Sequence, residues 1–168
     1  MLRKKNRPKI HLPRTSLLTV IDCAAALLLL FVLVLAAIYW QDMPDRIPTH
    51  FNLMGQPDGW GGKSSFLIFP VLSLILFIML TVFSFFPEIG NYPWEITEEN
   101  AGRQYHLVRL LLGVLKVEIM TIFLYFEWLT IQAGMVKAAL GISMFMPAML
   151  GAMGVTVVVY IVLGWRAR

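Results

Sequence analysis

Four long apolar stretches constrain this chain more than any other feature of its sequence. They cover roughly residues 16–40, 64–86, 105–132 and 139–164. A helix needs about 20 mainly apolar residues to cross the hydrocarbon core of a bilayer. Because a backbone surrounded by hydrocarbon can hydrogen-bond only to itself, each stretch is predicted to be a helix. The sequence therefore predicts an all-α integral membrane protein with four transmembrane helices.

The remaining residues leave no room for a separate soluble domain. Hydrophobic residues make up 58% of the chain and charged residues only 14%, which departs from the composition of soluble domains. We expect a basic arm over residues 1–15 and a single transmembrane domain over residues 16–168. The one cysteine, Cys23, lies in the first stretch and excludes both an intrachain disulfide and a multi-cysteine metal site.

Basic residues at the two ends of the chain predict its orientation. Six Lys and Arg residues lie between positions 3 and 14, and Arg166 and Arg168 follow the last stretch. Positive charge beside spanning helices favours the cytoplasmic side, so we expect both termini in the cytoplasm and the loop at 41–63 outside. The basic arm then favours contact with the anionic lipid bilayer over contact with nucleic acid.

A polar segment at 44–63, PDRIPTHFNLMGQPDGWGGK, separates the first two apolar stretches. Proline fixes φ and glycine permits unusual backbone angles, so their spacing indicates a chain that turns at set places. Residues 49–52 alternate polar and apolar, as a short strand does, and residues 55–59 are rich in turn formers. We predict a compact, ordered outer loop, with a short β-hairpin as its form. The alternative is a tight connector whose polar groups face water.

Ionisable residues inside the apolar stretches are the second unusual feature. They are Asp22, Arg109, Lys116, Glu118 and Glu127. A charge at the centre of a spanning helix costs about 2.5–3.5 kcal/mol, so such side chains face the bundle or a wet cavity. Lys116 and Glu118 lie roughly 200° apart around a helix and cannot pair along one face. Two interpretations stay open: a fixed interhelical pair, such as Asp22 with Lys116 or Arg109, and the lining of an ion or proton path.

Two further patterns concern helix ends and helix contacts. Thr97 is a predicted helix cap, followed by the acidic pair Glu98 and Glu99, for which a cytoplasmic partner is the alternative use. Small residues recur along the last stretch, and such residues let membrane helices approach closely. They are Ser143, Pro147, Gly151, Ala148, Ala152 and Thr156. We expect this stripe to pack within the bundle, with a contact between copies in an oligomer as the alternative.

The polar segment resembles the signature of a known family. Pro-Asp-x-Ile-Pro-x-His-Phe-Asn, then Gly-x-Pro-Asp-Gly-Trp-Gly and a lysine, is similar to the domain of unknown function 1648, a bacterial membrane family. Residues 94–100, leading into Tyr105 and Arg109, resemble its stand-alone members. The family includes the first half of the SdpI-type immunity proteins, which protect a cell from a secreted peptide toxin. The resemblance implies a cytoplasmic-membrane location and makes the motif residues candidate ligand contacts. They are Asp45, Pro48, His50, Asn52, Gly55, Asp58, Trp60 and Lys63.

Metal binding is an alternative use of the same segment. His50, Asp45 and Asp58 carry ligand types that suit a divalent metal, and Glu127 is predicted to emerge on the same side of the membrane. Their spacing matches no established metal motif, so the competing interpretation is that these side chains bond the loop's own amides. No cofactor is predicted.

The sequence holds no phosphate loop, nucleophile elbow or zinc-helix motif, so an enzyme is not expected. The leading hypothesis is a membrane protein that presents its outer loop to a peptide or envelope ligand, for immunity or sensing. A small transporter or permease subunit that uses Lys116 and Glu118 is the second hypothesis. A metal-dependent membrane enzyme at His50 is the third.

Overall fold

A computed structural model describes residues 7–52, 56–135 and 144–168. The helices are α1 (Ser16–Tyr39), α2 (Ile68–Phe85), α3 (Ala101–Met135) and α4 (Phe145–Arg166). Two antiparallel strands, β1 (Arg46–Phe51) and β2 (Pro57–Gly62), lie between α1 and α2. Short 3-10 turns at Lys63–Leu67 and Pro87–Ile89 lead into and out of α2. The structure is thus mainly helical with one small hairpin.

Within the described residues, three helices are long and apolar enough to cross a membrane. They are α1, α4 and the continuous segment Lys63–Phe85 that contains α2. Their outer faces expose Leu, Ile, Val and Phe side chains, which favours lipid over water as their surroundings. Several apolar helices of this kind indicate a multi-pass membrane protein. The fourth predicted span, 105–132, lies within α3, whose charged residues keep it from meeting the same criterion.

The long helix α3 is the centre of the bundle, since it packs against α1, α2, α4 and β1. Its contact with α1 is close at Gly113, where an added Cβ would lie 3.0 Å from Cγ2 of Ile21. The polar positions Gln104, Arg109, Lys116 and Glu127 are all buried on α3. These three charged side chains, Arg109, Lys116 and Glu127, therefore point into the protein, as the cost of placing them in lipid requires.

A capped turn precedes α3. The Thr97 hydroxyl accepts a hydrogen bond from the Asn100 amide at 3.3 Å, and the Asn100 side chain accepts one from the Thr97 amide at 3.0 Å. This reciprocal arrangement satisfies two amide donors that precede the helix. The predicted role of Thr97 as a cap is therefore seen, although the helix itself begins at Ala101.

Aromatic side chains close the end of the bundle that carries the two termini. Tyr92, Trp94 and Tyr105 pack together with Ala101, and we call this cluster the inner cap. The Tyr92 hydroxyl donates to the carbonyl of Pro87 at 2.9 Å, and burial raises the pKa of that phenol. The Trp94 ring lies directly over Gly164 of α4, at the position a Cβ would occupy.

The small-residue stripe of α4 does not pack within the described bundle, so that expectation was wrong. Nothing lies within 4 Å of the Cβ position of Gly151, and its neighbours Pro147, Ala148 and Ala152 are exposed. Of the expected residues, Thr156 does face α3, where it bonds Glu118. Ser143 lies outside the described residues. Small size alone did not indicate which face of the helix meets the bundle.

Two glycine substitutions in α4 test the inner cap. We expect Gly164→Ala to lower the thermal unfolding midpoint of the purified protein in detergent, because the new methyl group would overlap the Trp94 ring. Forced overpacking of this kind costs about 1–3 kcal/mol. The matched control, Gly151→Ala, meets no neighbour and should instead raise stability by about 0.5–1 kcal/mol through helix propensity. Equal effects of the two changes would contradict the described packing.

Candidate functional site

The polar segment forms a β-hairpin, which confirms that form of the predicted loop. Arg46 pairs with Gly62, and two irregularities in register flank His50. The Asn52 amide donates to the Gln56 carbonyl at 2.9 Å, and the Gln56 amide donates to the Asn52 side chain at 3.0 Å. Strand β2 already begins at Pro57, within the expected turn. Gly55 lies outside the described residues.

One face of the hairpin is fixed to the helices. Ile47 is 1% exposed and packs in a cluster with Phe66, with Ile131 of α3, and with Ala36 and Met43 at the end of α1. Burying such apolar side chains stabilises the docked position by about 1.5–3 kcal/mol per large residue. The hairpin is therefore a packed part of the protein, and the interpretation as a mere connector is not supported.

Motif glycine and lysine residues serve this docking. At Gly61 an added Cβ would lie 2.6 Å from both the Thr49 methyl and the Ser65 hydroxyl, so only glycine fits. The Lys63 ammonium donates to the Gln41 carbonyl at 3.1 Å and lies 5.3 Å from the Trp40 ring centre. Gly61 and Lys63 of the motif thus have structural roles that leave them little freedom to contact a ligand.

Part of the hairpin is exposed. Nδ1 of His50 is paired with Oδ1 of Asp58, and these side chains are 71% and 45% exposed. Trp60, two residues after Asp58 in β2, is 52% exposed. We call these three residues the outer face. Among the candidate motif residues, these three combine exposure with a defined position. Pro48, by contrast, is buried. Asp45 is exposed, but its backbone carbonyl accepts a hydrogen bond from the Lys63 amide.

The expected meeting of Glu127 with the hairpin's ligand types does not occur. No three His, Cys, Asp or Glu residues cluster as a metal site among the described residues. Glu127 is fully buried, and neither of its carboxyl oxygens has a hydrogen-bond partner within that part of the chain. Asp45 likewise stands apart from the His50–Asp58 pair. The side chains were expected together because they lie at one end of the helices, but depth and direction separate them.

A second polar site lies within the bundle, around Lys116. This side chain is 1% exposed, and its ammonium donates to Oδ1 of Asp22 at 2.7 Å and to the Thr81 hydroxyl at 3.0 Å. The other oxygen of Asp22 accepts from Arg14 at 2.8 Å. One of the open interpretations, the interhelical pair of Asp22 with Lys116, is thus the arrangement observed. The contribution of Arg14 was not predicted, since its spacing does not mark it out.

The remaining intramembrane residues make separate contacts. Oε1 of Glu118 accepts from the Thr156 hydroxyl at 2.7 Å, while its second oxygen is buried without a described partner. Arg109 donates to the backbone carbonyl of Leu12 at 3.1 Å. Lys116 and Glu118 lie on different faces of α3, as their angular separation requires.

The described part of the basic arm, residues 7–15, is attached to the inner cap, and this contact was not predicted. Arg7 donates to the carbonyls of Glu88, at 2.9 Å, and of Gly90. The Tyr105 hydroxyl donates to the carbonyl of Pro8 at 3.0 Å, although these two residues are more than 90 positions apart in the sequence. The acceptors are backbone carbonyls, which any residue type provides, so no side-chain pattern could have signalled these contacts.

Removing the charges of the Asp22–Lys116 pair one at a time tests its structural role. Asp22→Asn should lower stability by about 3–5 kcal/mol, because it leaves a buried ammonium without its counter-charge. Adding Lys116→Met to that variant should recover much of the loss, since both charges are then absent. Arg14→Gln, at the exposed side of the pair, should cost below about 1 kcal/mol. Thermal unfolding in detergent measures all three, and a double variant as unstable as the sum of its single changes would exclude the pairing.

The comparison with protein families bears on the hairpin and its flanking helices. Residues 27–74 match the family model described as "Domain of unknown function (DUF1648)", a segment that spans most of α1, the hairpin and the start of α2. No match was found among curated proteins or among solved structures. The family identified from the motif at 44–63 is thereby confirmed, and residues 27–74 of this chain are a DUF1648 domain.

Proposed function

We propose that this protein spans the bacterial cytoplasmic membrane four times and uses the outer face of its hairpin to recognise a peptide or envelope ligand, in immunity or sensing. One observation carries the proposal. The hairpin is fixed to the bundle through Ile47, while its residues His50, Asp58 and Trp60 are exposed. A small polar surface that is held firmly on an apolar bundle is suited to binding a ligand outside the membrane.

Four spans are supported by the surroundings of α3. Its 35 residues extend about 52 Å, well beyond the roughly 30 Å hydrocarbon core. Three helices pack around it, and its deepest cation, Lys116, is paired inside the protein. These contacts remove the main cost of placing α3 in the membrane. With both basic ends in the cytoplasm, the hairpin lies on the outer side.

The chemistry of the outer face suits a peptide ligand. The Asp58 carboxylate accepts hydrogen bonds from amides or ammonium groups, and its pairing with His50 holds it in one position. Trp60 offers a large apolar ring and an N–H donor, the combination most common in the strongest contacts of protein interfaces. Because the strands and the Asn52–Gln56 bonds already order this surface, binding loses little conformational entropy.

A second candidate function is a small transporter or permease subunit. The observation that favours it is the set of buried carboxyl oxygens of Glu118 and Glu127 that have no described partner. Groups of this kind line proton and ion paths in membrane proteins. The candidate predicts a proton- or cation-dependent flux in reconstituted vesicles that Lys116→Met and Glu118→Gln both reduce. A flux indifferent to both changes, or none at all, would leave no support for transport.

The recognition role is tested in cells that are sensitive to a secreted peptide toxin. Expression of the protein should protect them, and the combined change His50→Ala, Asp58→Ala and Trp60→Ala should abolish protection because it removes the outer face. Gln41→Ala is the matched control, since this exposed side chain lies on the same side of the membrane but outside the hairpin. Membrane-fraction yields must be equal for all variants. Protection by a chain with a scrambled 45–62 segment would show that the hairpin is not the recognition element.

A further inference from the structure

We propose that the groove between α1 and α2, beside Arg14 and Lys116, is a binding site for one anionic phospholipid of the cytoplasmic leaflet. Arg14 and Arg109 would hold its phosphate, and the apolar wall of the groove would hold the start of an acyl chain. This inference concerns the end of the bundle opposite the hairpin and is independent of what the hairpin binds.

The first argument is an imbalance of charge. Asp22 is the one carboxylate paired with both Lys116 and Arg14, so two cations share a single negative charge. Arg109 is 9% exposed, and its guanidinium donates to the neutral carbonyl of Leu12. Three cations therefore face one anion at the edge of a low-dielectric bundle. Uncompensated charge is costly there, and an anionic headgroup would neutralise it.

The second argument is the shape of the groove. It has a volume of about 240 Å³ and is bordered by Arg14 and Asp22 at one end and by Ala26 and Phe77 further along the helices, with Lys116 at its floor. Arg14 lies just before α1, at the boundary between the polar arm and the apolar helix. A molecule that fits must be charged at one end and apolar along the rest, which describes a phospholipid.

A small recess connects the two arginines. Arg14, Arg109 and the hydroxyl-bearing Ser84 line it together with Asp22 and Gly113. Its size of about 10 Å³ is too small for a headgroup, so the phosphate would lie at its mouth with a guanidinium on either side. Two guanidinium groups and a hydroxyl are the donors that proteins commonly use to bind phosphate.

Arg14 is held in position yet keeps donors free. Its guanidinium lies 5.6 Å from the Phe85 ring centre and donates one bond to Asp22, while 47% of its side chain is exposed. The planar guanidinium has several further N–H donors in addition to the one that Asp22 accepts from. A zwitterionic lipid brings its own cation and leaves the imbalance in place, so the site should distinguish anionic from zwitterionic headgroups.

Lipid titration of the purified full chain tests the proposal. Short-chain phosphatidylglycerol and phosphatidylcholine with identical acyl chains would be added in neutral detergent, with bound lipid counted by native mass spectrometry. Phosphatidylglycerol should bind saturably and more tightly than phosphatidylcholine. Arg14→Gln and Arg109→Gln should each weaken that binding roughly fivefold, the contribution expected of one basic residue near an anionic lipid.

Two further variants keep the test decisive. Arg103→Gln makes the same change at an exposed position of α3 away from the groove and should leave binding unaltered. Ala26→Trp fills the apolar part of the groove without changing any charge and should also weaken phosphatidylglycerol binding. Arg14→Gln retains the Lys116–Asp22 pair, so its helical content by circular dichroism should match the parent chain. Equal binding of the two lipids, an Arg103→Gln effect as large as that of Arg14→Gln, or full binding by Ala26→Trp would overturn the proposal.

Discussion

A lysine ammonium enclosed by apolar helices must find its counter-charge within the protein, and this requirement organises the bundle. Lys116 reaches Asp22 on α1 and Thr81 on α2, so one side chain of α3 ties three helices together. Coulomb attraction is strong in such surroundings because little water screens it. The close approach of α1 and α3 at Gly113 lies one turn away and brings these groups within reach. Helix order around α3 follows from this contact as much as from apolar packing.

The two ends of the bundle are built on different principles. At the hairpin end, apolar side chains such as Ile47 and Phe66 fill the space beneath a strand pair. At the end that carries the termini, aromatic rings are combined with bonds from Arg7 and Arg109 to backbone carbonyls of distant segments. The first arrangement leaves an exposed polar face above a rigid base. The second joins the basic arm, the loop before α3 and the end of α4 into one structure.

The sequence predicted those features that depend on local pattern. Apolar length marked the helices, and proline and glycine spacing marked the hairpin. The pair of Asp22 with Lys116 was one of two open interpretations, because buried charges need partners. Other contacts between distant segments were not predicted: the docking of Ile47 depends on Ile131, and Asp22 is also paired with Arg14, whose residue type is common near membranes. The stripe around Gly151 shows the same limit, because small size permits close packing without indicating a partner. Glu127 lies near the hairpin's end of α3, but its depth could not be predicted.

The packing beneath the hairpin also means that the family domain is not the same segment as the folding unit. Residues 27–74 contain Ala36, Met43, Ile47 and Phe66, but the cluster is completed by Ile131, far beyond that segment. The hairpin can therefore complete this packing only after α3 has been synthesised and has entered the bundle. Excised at its sequence boundaries, the segment would lack the α3 side of its own core.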